Sequence, residues 1–302
     1  MLKKVIITFI ALFALCGYSY DDSKNIKIAA GAMHGVYYLV ALELCDMVEK
    51  HSAISSCEVL PTSGSLNNLS LLLSNKVDFA FSQSDLAHDA HKAQGIFVNQ
   101  SPYKDLRLIL NLFPELYTMI TRKDTGISRF SDASGAKIGV NLRGAGAKSG
   151  LMKVLKYFKF ENEPRVTQVS DSKMSGKLCD KEVDIVVLFT GHPSGIVEEI
   201  IEKCEVDFVS IDKFKLNTLV DNESFYEHSV IPAKIYKGIS RETSSFATRA
   251  ILVANSETSR EKVNLLTKII RRNFDEFKAK YPVLEKVNRQ EVFNQGIIPL
   301  YE

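Results

Sequence analysis

The chain contains 302 residues, of which 45% are hydrophobic and 25% are charged, with 38 basic against 36 acidic side chains. This composition indicates a globular protein whose core is large enough for two lobes, and it excludes disordered, collagen-like and disulfide-dense small scaffolds. The near-equal charge balance argues against a nucleic-acid binder, which needs a concentrated basic face.

The first nineteen residues have the three-part layout of a secretory signal peptide. Lys3 and Lys4 supply the positive start, residues 5–15 the apolar segment, and residues 17–19 a small-x-small cleavage site. The apolar segment is too short for a typical transmembrane helix, and no later run is long enough to span a bilayer. We therefore expect residues 1–19 to be removed and the protein to be periplasmic.

Cys16 supports an alternative, because Ala14-Leu15-Cys16-Gly17 is close to a bacterial lipoprotein cleavage box. Such boxes need a small residue directly before the cysteine, and Leu15 is not small. Export without a lipid anchor is the expectation, with a lipid anchor at Cys16 as the alternative.

Four cysteines remain after the signal: Cys45, Cys57, Cys179 and Cys204. An even number in an exported chain is compatible with disulfides, and pairing of neighbours (45 with 57, 179 with 204) is the simplest arrangement. Spacing alone does not determine connectivity, so four buried thiols are the open alternative.

Strand-like runs alternate with amphipathic helical patterns along the chain, which predicts an α/β fold with parallel strands and crossover helices. In the first series the predicted strands are 25–29, 58–61 and 77–82, and the predicted helices are 36–50, 66–74 and 86–94. In the second series the predicted strands are 137–141, 165–169, 183–189 and 206–211, and the predicted helices are 150–160, 175–181 and 195–204. A strand at 248–253 and a helix from Arg260 to about Lys280 close the chain.

The stretch 106–122 is unusually long and β-rich, and Pro114 interrupts it. Because proline cannot donate to a ladder, we expect the segment to break or leave its sheet there. This stretch and the run at 248–253 join the two series, which predicts two lobes with a cleft between them. We place lobe 1 at 20–118 and 250–302, and lobe 2 at 119–249.

The segments that follow the predicted strands are rich in small and polar residues, and each opens a helix. Ligands of open parallel sheets bind outside the carboxyl ends of the strands. Helix starts expose unpaired N–H groups and a partial positive charge that bind anions such as carboxylates, although capping by Ser65 or Ser84 is the ordinary alternative. The candidate ligand-binding residues in these segments are Gly31, His34, Gly35, Tyr37, Tyr38, Ser63, Gly64, Ser65, Asn67, Gln83, Ser84, Asp85, Arg143, Gly144, Ala145, Gly146, Thr190, His192 and Pro193.

The order and spacing of these segments resemble the TAXI class of extracytoplasmic solute receptors, which serve TRAP transporters. The resemblance covers nearly the whole mature chain. It is carried by Gly35-Val36-Tyr37-Tyr38, Ser63-Gly64-Ser65-Leu66-Asn67-Asn68-Leu69, Ser82-Gln83-Ser84-Asp85, Leu112-Phe113-Pro114-Glu115, residues 143–146, Gly191-His192-Pro193 and Ile231-Pro232-Ala233.

The resemblance implies a two-lobed clamshell like that of periplasmic binding proteins, with the two crossing β-strands as hinge. It further implies a ligand in the cleft and a sodium-driven membrane partner, the TRAP transporter membrane subunits. Characterised members of the class bind small carboxylates such as glutamate or 2-oxoglutarate. A ligand of this kind, a small carboxylate or amino acid, is therefore expected, with a stand-alone exported receptor or surface antigen as the alternative.

Two departures from the TAXI pattern affect the ligand more than the general function. The glycine loop reads Gly144-Ala145-Gly146-Ala147 where the family usually has Gly-Ser-Gly-Thr, so two hydroxyl donors are lost. The first loop carries Met33-His34 where small residues and threonine are usual. The planar guanidinium of Arg143 can hold a carboxylate bidentately in place of the missing hydroxyls; a solvated loop arginine is the alternative.

Some side chains carry alternatives of their own. One of Tyr37 and Tyr38 is expected in the core and the other at the ligand, while Gln83 and Asn67 are candidate neutral donors. Glu115 lies where the chain crosses between lobes, and it either orients an amino group of a zwitterionic ligand or pairs with a neighbouring basic residue.

Metal, cofactor and enzyme interpretations find little support in the sequence. Asp85, His88 and His91 share a predicted helix face, but no further ligand stands nearby, so no metal site is expected. No nucleophile elbow, His-Glu-x-x-His pair or Walker loop is present. The expectation is a monomeric binding protein without cofactor, nucleic-acid partner or catalytic residues.

Overall fold

The structure of the protein is a computed structural model that describes residues 25–52, 56–141, 146–285, 287–294 and 296–301. The predicted signal peptide with Cys16 lies outside the described residues. The predicted ligand-binding residues Arg143, Gly144 and Ala145 lie outside them as well.

A ten-stranded sheet with the central path β2-β1-β3-β10-β4-β7-β5-β6 runs through the molecule, and β8 and β9 pair with β4 and β10 off this path. The strands are β1 (Asn25–Ala29), β2 (Ser56–Leu60), β3 (Phe79–Gln83), β4 (Leu106–Arg122), β5 (Lys137–Asn141), β6 (Arg165–Val169), β7 (Ile185–Thr190), β8 (Val206–Phe208), β9 (Glu227–Ile231) and β10 (Thr243–Asn255). The helices are α1 (Val36–His51), α2 (Ser65–Leu73), α3 (Ser84–Lys92), α4 (Ala147–Leu155), α5 (Asp171–Cys179), α6 (Gly195–Lys203), α7 (Lys213–Asn222), α8 (Arg260–Arg272), α9 (Phe274–Ala279) and α10 (Arg289–Asn294).

Two long antiparallel strands, β4 and β10, join two α/β halves. At one end of this pair β3 binds β10 over Ala250–Ala254, and at the other end β7 binds β4 over Leu116–Thr121. We call β1–β3 with α1–α3 and α8–α10 the first half, and β5–β9 with α4–α7 the second half. Parallel pairing joins β1 to β2 and β3, and β5 to β6 and β7. The predicted α/β fold with two crossing strands is confirmed.

The expected break at Pro114 is wrong, because β4 continues through it. On one side Pro114 is opposite Arg249 of β10, next to a register shift between Arg249 and Ile251. On the other side β7 pairs with β4 only from Leu116 onward. Proline is tolerated in strands at edges and bulges, where no ladder hydrogen bond is lost, and Pro114 occupies such a position.

The cores on the two sides of the sheet follow from alternating side chains along the strands. In β3, Phe79 and Phe81 face the apolar cluster of α1, α8 and α9, and Ala80 faces the cluster of α2 and α3. In β7, Val187 and Val186 face opposite sides in the same way. Because successive side chains of a strand point to opposite faces, a fully apolar strand predicts a sheet covered on both faces.

Two disulfides are present, one between a helix and a strand and one between a helix and the end of the next helix. Cys45 of α1 is bonded to Cys57 of β2, and Cys179 of α5 is bonded to Cys204 after α6, with Cα–Cα distances of 5.1 and 5.6 Å. These Cα distances lie in the ordinary range for disulfides. The pairing of neighbours is confirmed, and the alternative of four thiols is wrong.

The predicted C-terminal helix is divided at Asn273, which separates α8 from α9. Asn273 leaves the helical conformation with φ −111° and ψ 32°, and its side-chain Nδ2 donates to the Ile269 carbonyl at 3.0 Å. Asparagine competes in this way with helical backbone hydrogen bonds, which the apolar periodicity does not reveal. Within the described residues, no helix combines the length and apolar character needed to cross a bilayer.

Candidate ligand-binding site

A cavity of about 90 Å³ lies between the two halves, at the carboxyl ends of strands from both. By the same measure a single water needs about 10–15 Å³, so this space holds several waters or one small molecule. Its lining residues are Gly31, Ala32, Gly35, Val36, Tyr37, Ser63, Gly64, Ser65, Gln83, Glu115, Asn141, Gly146, Ala147, Asp171, Leu188, Phe189, Thr190 and Ile196.

The start of α2 is held against the end of β3 by buried polar contacts. The backbone N–H of Gln83 donates to Ser65 Oγ at 3.0 Å, and Asn68 Nδ2 donates to the carbonyl of Phe81 at 2.8 Å. Gly64 precedes the helix with φ +106°, a conformation that favours glycine. These contacts fix the N-terminus of α2 at the wall of the cavity.

Four helices present their first residues to the cavity: α1 with Val36, α2 with Ser65, α4 with Ala147 and α5 with Asp171. The first turn of a helix has N–H groups without intrahelical partners and carries about half a positive charge. Starts from both halves are combined here, so the cavity has the donors that an anionic group requires.

Gln83 carries the clearest sign of a missing partner. Its side chain is 3% exposed, lines the cavity, and neither its Oε1 nor its Nε2 makes a hydrogen bond with the described residues. Its Oε1 lies so close to Gly146 that a Cβ there would stand 1.6 Å away, so the halves touch at this point. An unpaired buried amide costs roughly 1–3 kcal/mol, a cost that a hydrogen-bonding ligand removes.

Glu115 brings a carboxyl group to the same cavity from the hinge strand β4. It is 5% exposed, and its Oε2 accepts a hydrogen bond from the hydroxyl of Tyr37. Burial, together with the negative charge of nearby Asp85, raises the pKa of Glu115 to about 8. Glu115 is therefore protonated at neutral pH.

Asp171 is a second carboxyl group at the cavity, and it was not among the sequence predictions. It is the first residue of α5, two positions after the end of β6, and Asn141 Nδ2 donates to its Oδ1. Burial raises the pKa of Asp171 to about 6. The rule that led to the other candidates, inspection of the segment after each strand, also applies to β6 and indicates Asp171.

Just over half of the described sequence-predicted site residues line this cavity. They are Gly31, Gly35, Tyr37, Ser63, Gly64, Ser65, Gln83, Glu115, Gly146 and Thr190. The lining residues that sequence reasoning missed are the apolar or small Ala32, Val36, Ala147, Leu188, Phe189 and Ile196, and the polar Asn141 and Asp171. Among the described lining residues, none is a lysine, arginine or histidine.

Ser84 and Asp85 do not line the cavity, because they are bound to the hinge. Ser84 Oγ lies 2.8 Å from Thr248 Oγ1 of β10. Asp85 is fully buried, and its Oδ2 accepts a hydrogen bond of 3.1 Å from the Tyr226 hydroxyl of the second half. Burial raises the pKa of Asp85 to about 6. Both residues connect the first half to the crossing strand or the second half.

His192 also lies behind the cavity wall. Its Nε2 is 2.9 Å from Thr118 Oγ1 and its Nδ1 is 2.6 Å from the hydroxyl of Tyr236, which accepts from the backbone N–H of Ser194 at 2.8 Å. Burial lowers the pKa of His192 to about 4. This neutral histidine fixes the loop between β7 and α6, which contains a cis peptide bond at Pro193.

The remaining candidates lie outside the cavity in other ways. His34 is exposed, and Tyr38 is half-buried against the core on the α1 side. Asn67 lines a neighbouring groove. The suggested metal face is dispersed, since Asp85 binds Tyr226 while His91 Nδ1 lies 3.1 Å from the Tyr103 carbonyl. No group of three or more metal-ligating side chains occurs among the residues described.

A sheet joined by two long strands, with a cavity between two halves, defines the fold of periplasmic binding proteins. A family model described as the NMT1-like family matches residues 28–302, and the chain belongs to this family.

Solved structures share this fold at low sequence identity. A protein of Bordetella bronchiseptica RB50 aligns with a TM-score of 0.55 and 13% identity, over 91% of this chain and 77% of that one. A structure from work on glutathione import via GshT and the cystine ABC importer TcyBC of Streptococcus mutans aligns with a TM-score of 0.53 and 12% identity. The alignment covers 88% of this chain and 93% of that one. The periplasmic aliphatic sulphonate binding protein SsuA from Escherichia coli aligns with a TM-score of 0.51 and 12% identity. The alignment covers 87% of this chain and 78% of that one.

Proposed function

We propose that this protein is an extracytoplasmic solute-binding protein that captures a small amino-acid-like carboxylate between its halves and delivers it to a membrane transporter. The observation that carries the proposal is the cavity itself. It is formed by helix starts from both halves and contains the buried, unpaired amide of Gln83. The name of a sulphonate binding protein and the work on glutathione import among the structural neighbours support a role in solute uptake.

The two kinds of polar group in the cavity favour a ligand with both charges. The starts of α1, α2 and α4 supply N–H donors for a carboxylate. Glu115 offers an acceptor on the hinge side, and an ammonium group placed against it would favour its ionised form. A zwitterion therefore matches the cavity better than a plain anion, because Asp171, with a pKa of about 6, is mostly ionised at neutral pH and would repel a ligand that carries negative charge alone.

The membrane partner that we propose is a TRAP-type transporter, and its support is the TAXI-like order of the binding-loop motifs. The periplasmic location rests on the signal-like first nineteen residues. Co-purification with the TRAP membrane subunits encoded nearest to this gene tests the partner. Mass spectrometry of the mature N-terminus tests export, since cleavage before Tyr20 is expected and a lipid on Cys16 would contradict it.

Proton release tests the ligand chemistry directly. At pH 7 a carboxyl group with a pKa of about 8 is about nine-tenths protonated. An ammonium group that ionises Glu115 therefore releases close to one proton for each ligand bound. Isothermal titration calorimetry in two buffers of different ionisation enthalpy measures this number, with glutamate, glutamine and 2-oxoglutarate as ligands.

The matched variant is Glu115→Gln, which keeps the acceptor oxygen for Tyr37 but cannot ionise. We expect amino acids to release a proton from the wild-type protein and none from this variant. Binding of an amino acid with no proton release by the wild type would contradict the placement of the ammonium at Glu115. Absence of binding by every small carboxylate and amino acid tested would contradict the proposed function.

A further inference from the structure

A second, larger space opens beside the cavity, and the proposed solute site does not use it. This outer groove has a volume of about 750 Å³ and shares Ser63 and Asn141 with the cavity. Its volume falls in the range of about 300–1,000 Å³ that is usual for small-molecule sites. Its walls come from α2, α3 and the turn after it in the first half, and from α4 in the second half.

The groove has an apolar wall, and two of its side chains are unusually exposed. Leu66 and Leu86 line it from the first half, together with Ile96, which is 49% exposed. Met152 of α4 faces the same space from the second half and is 50% exposed. Large apolar side chains that are exposed in one concave space mark a surface where the binding of an apolar group is favourable.

Basic side chains flank this apolar surface on the second half. Lys148, Met152 and Lys156 follow one another at intervals of four residues, so they form one stripe along α4 and its C-terminal end. Lys148 and Lys156 are exposed and make no ion pair with any described residue. They are therefore available for an anion.

Lys153 lies deeper, and its charge is already balanced. Its Nζ is 3.8 Å from Asp89 Oδ2 and 3.8 Å from Glu223 Oε2, and it lies 4.0 Å from the centre of the Phe225 ring. No aspartate or glutamate is among the described residues that line the outer groove. The ionisable side chains that line the groove are thus basic, whereas the carboxyl groups of Glu115 and Asp171 line the cavity.

We propose that the outer groove is a separate binding site for an anionic amphipathic small molecule, a carboxylate with an apolar chain. The chain would cover Leu66, Ile96 and Met152, and the carboxylate would lie against Lys156 at one end of the stripe. Charge complementarity selects the negative head, and the apolar wall selects the chain. A molecule of this length does not fit the 90 Å³ cavity, so the site goes beyond the proposed function.

Decanoate is the probe, titrated into the full-length mature protein by calorimetry below its micelle concentration. Decyltrimethylammonium, with the same chain length and the opposite charge, is the matched ligand control. We expect saturable binding of one decanoate, at least tenfold tighter than binding of the cation, a ratio that corresponds to one charge-assisted contact of ordinary strength.

Two variants locate the site. Met152→Asp places a negative charge on the apolar wall, and Lys156→Glu reverses the charge at its end; each should weaken decanoate binding about tenfold or more. Phe214→Asp is the matched control, because Phe214 is 82% exposed on α7 beside Lys213 and does not line the groove. Circular dichroism confirms that each variant is folded.

The outcomes separate the proposals. Loss of binding in both groove variants with retention in Phe214→Asp supports the outer groove. Absence of saturable decanoate binding, equal binding of the cation, or binding unaffected by Met152→Asp overturns it. Binding that is unaffected by the groove variants but lost in Gln83→Leu would place the acid in the inner cavity and also overturns it, while leaving the proposed solute site standing.

Discussion

The buried carboxyl group of Glu115 should make the stability of the unliganded protein depend strongly on pH. Its pKa is about 8 in the folded protein, against an ordinary value of 4.5. The folded state therefore retains a proton that the unfolded state has already lost at neutral pH. The stabilisation associated with this proton is fully present below pH 4.5, decreases as the pH rises towards 8, and is lost above it.

The magnitude follows from the two pKa values. Between pH 5 and pH 8.5 the folded protein should lose about 4 kcal/mol of unfolding free energy through Glu115, at about 1.4 kcal/mol for each pH unit within the interval. This is a large part of the roughly 5–15 kcal/mol that stabilises a typical domain. The effect should therefore be measurable by ordinary urea denaturation.

The variant Glu115→Gln removes the titration and keeps an acceptor for the hydroxyl of Tyr37. We expect it to match the wild type at pH 5 and to exceed it by about 4 kcal/mol at pH 8.5. Urea unfolding followed by circular dichroism at half-unit intervals from pH 5 to 9 measures both curves. Glu58→Gln, which changes an exposed carboxylate, is the control and should run parallel to the wild type.

Parallel pH profiles for the wild type and Glu115→Gln would refute the reasoning, because they would mean that the carboxylate is already ionised and stabilised in the folded protein. Asp85 and Asp171 also have raised pKa values of about 6, but both remain in the variant. Their contributions therefore appear in both profiles, and the difference between the profiles isolates Glu115.

Two further predictions concern other buried features. Replacing Cys179 and Cys204 together by alanine opens a loop of 25 residues and should lower the unfolding free energy by about 3 kcal/mol. Urea denaturation with and without a reductant measures this, and the reductant should not change the stability of the variant. Equal stability of variant and wild type without reductant would contradict the prediction. His192, with a pKa of about 4 in the folded state against an ordinary 6.5, contributes stability that is present above pH 6.5 and is lost as the pH falls to 4, by about 3 kcal/mol. The variant His192→Gln should lack this loss between pH 6.5 and 4, and an unchanged acid profile would count against a neutral buried His192.

Much of the architecture was accessible from the sequence because it depends on local periodicity. The apolar run of β7 has no polar alternation, which indicates a strand covered on both faces, and the pattern of Val40, Leu44 and Met47 indicates one buried face of α1. The disulfide pairs follow neighbouring elements, so the simplest pairing was the correct one. These features need no knowledge of distant contacts.

Other features depend on contacts that a single sequence does not reveal. Pro114 remains inside β4 because its strand neighbours are arranged around it, and nothing local indicates where β7 begins to pair. Asp85 looked like a site residue because it follows a strand, yet Tyr226, 141 positions further along the chain, binds it. Asp171 was accessible in principle, since it obeys the same rule of position after a strand that produced the other candidates.

Glu115 lies on β4 opposite Thr248 of β10, so a carboxyl group of the cavity belongs to the pair of strands that joins the two halves. The zwitterionic ligand that we propose would therefore change the charge of a residue on this strand pair directly, with no intervening side chains. Substitutions in this strand pair should therefore change ligand affinity and the angle between the two halves together.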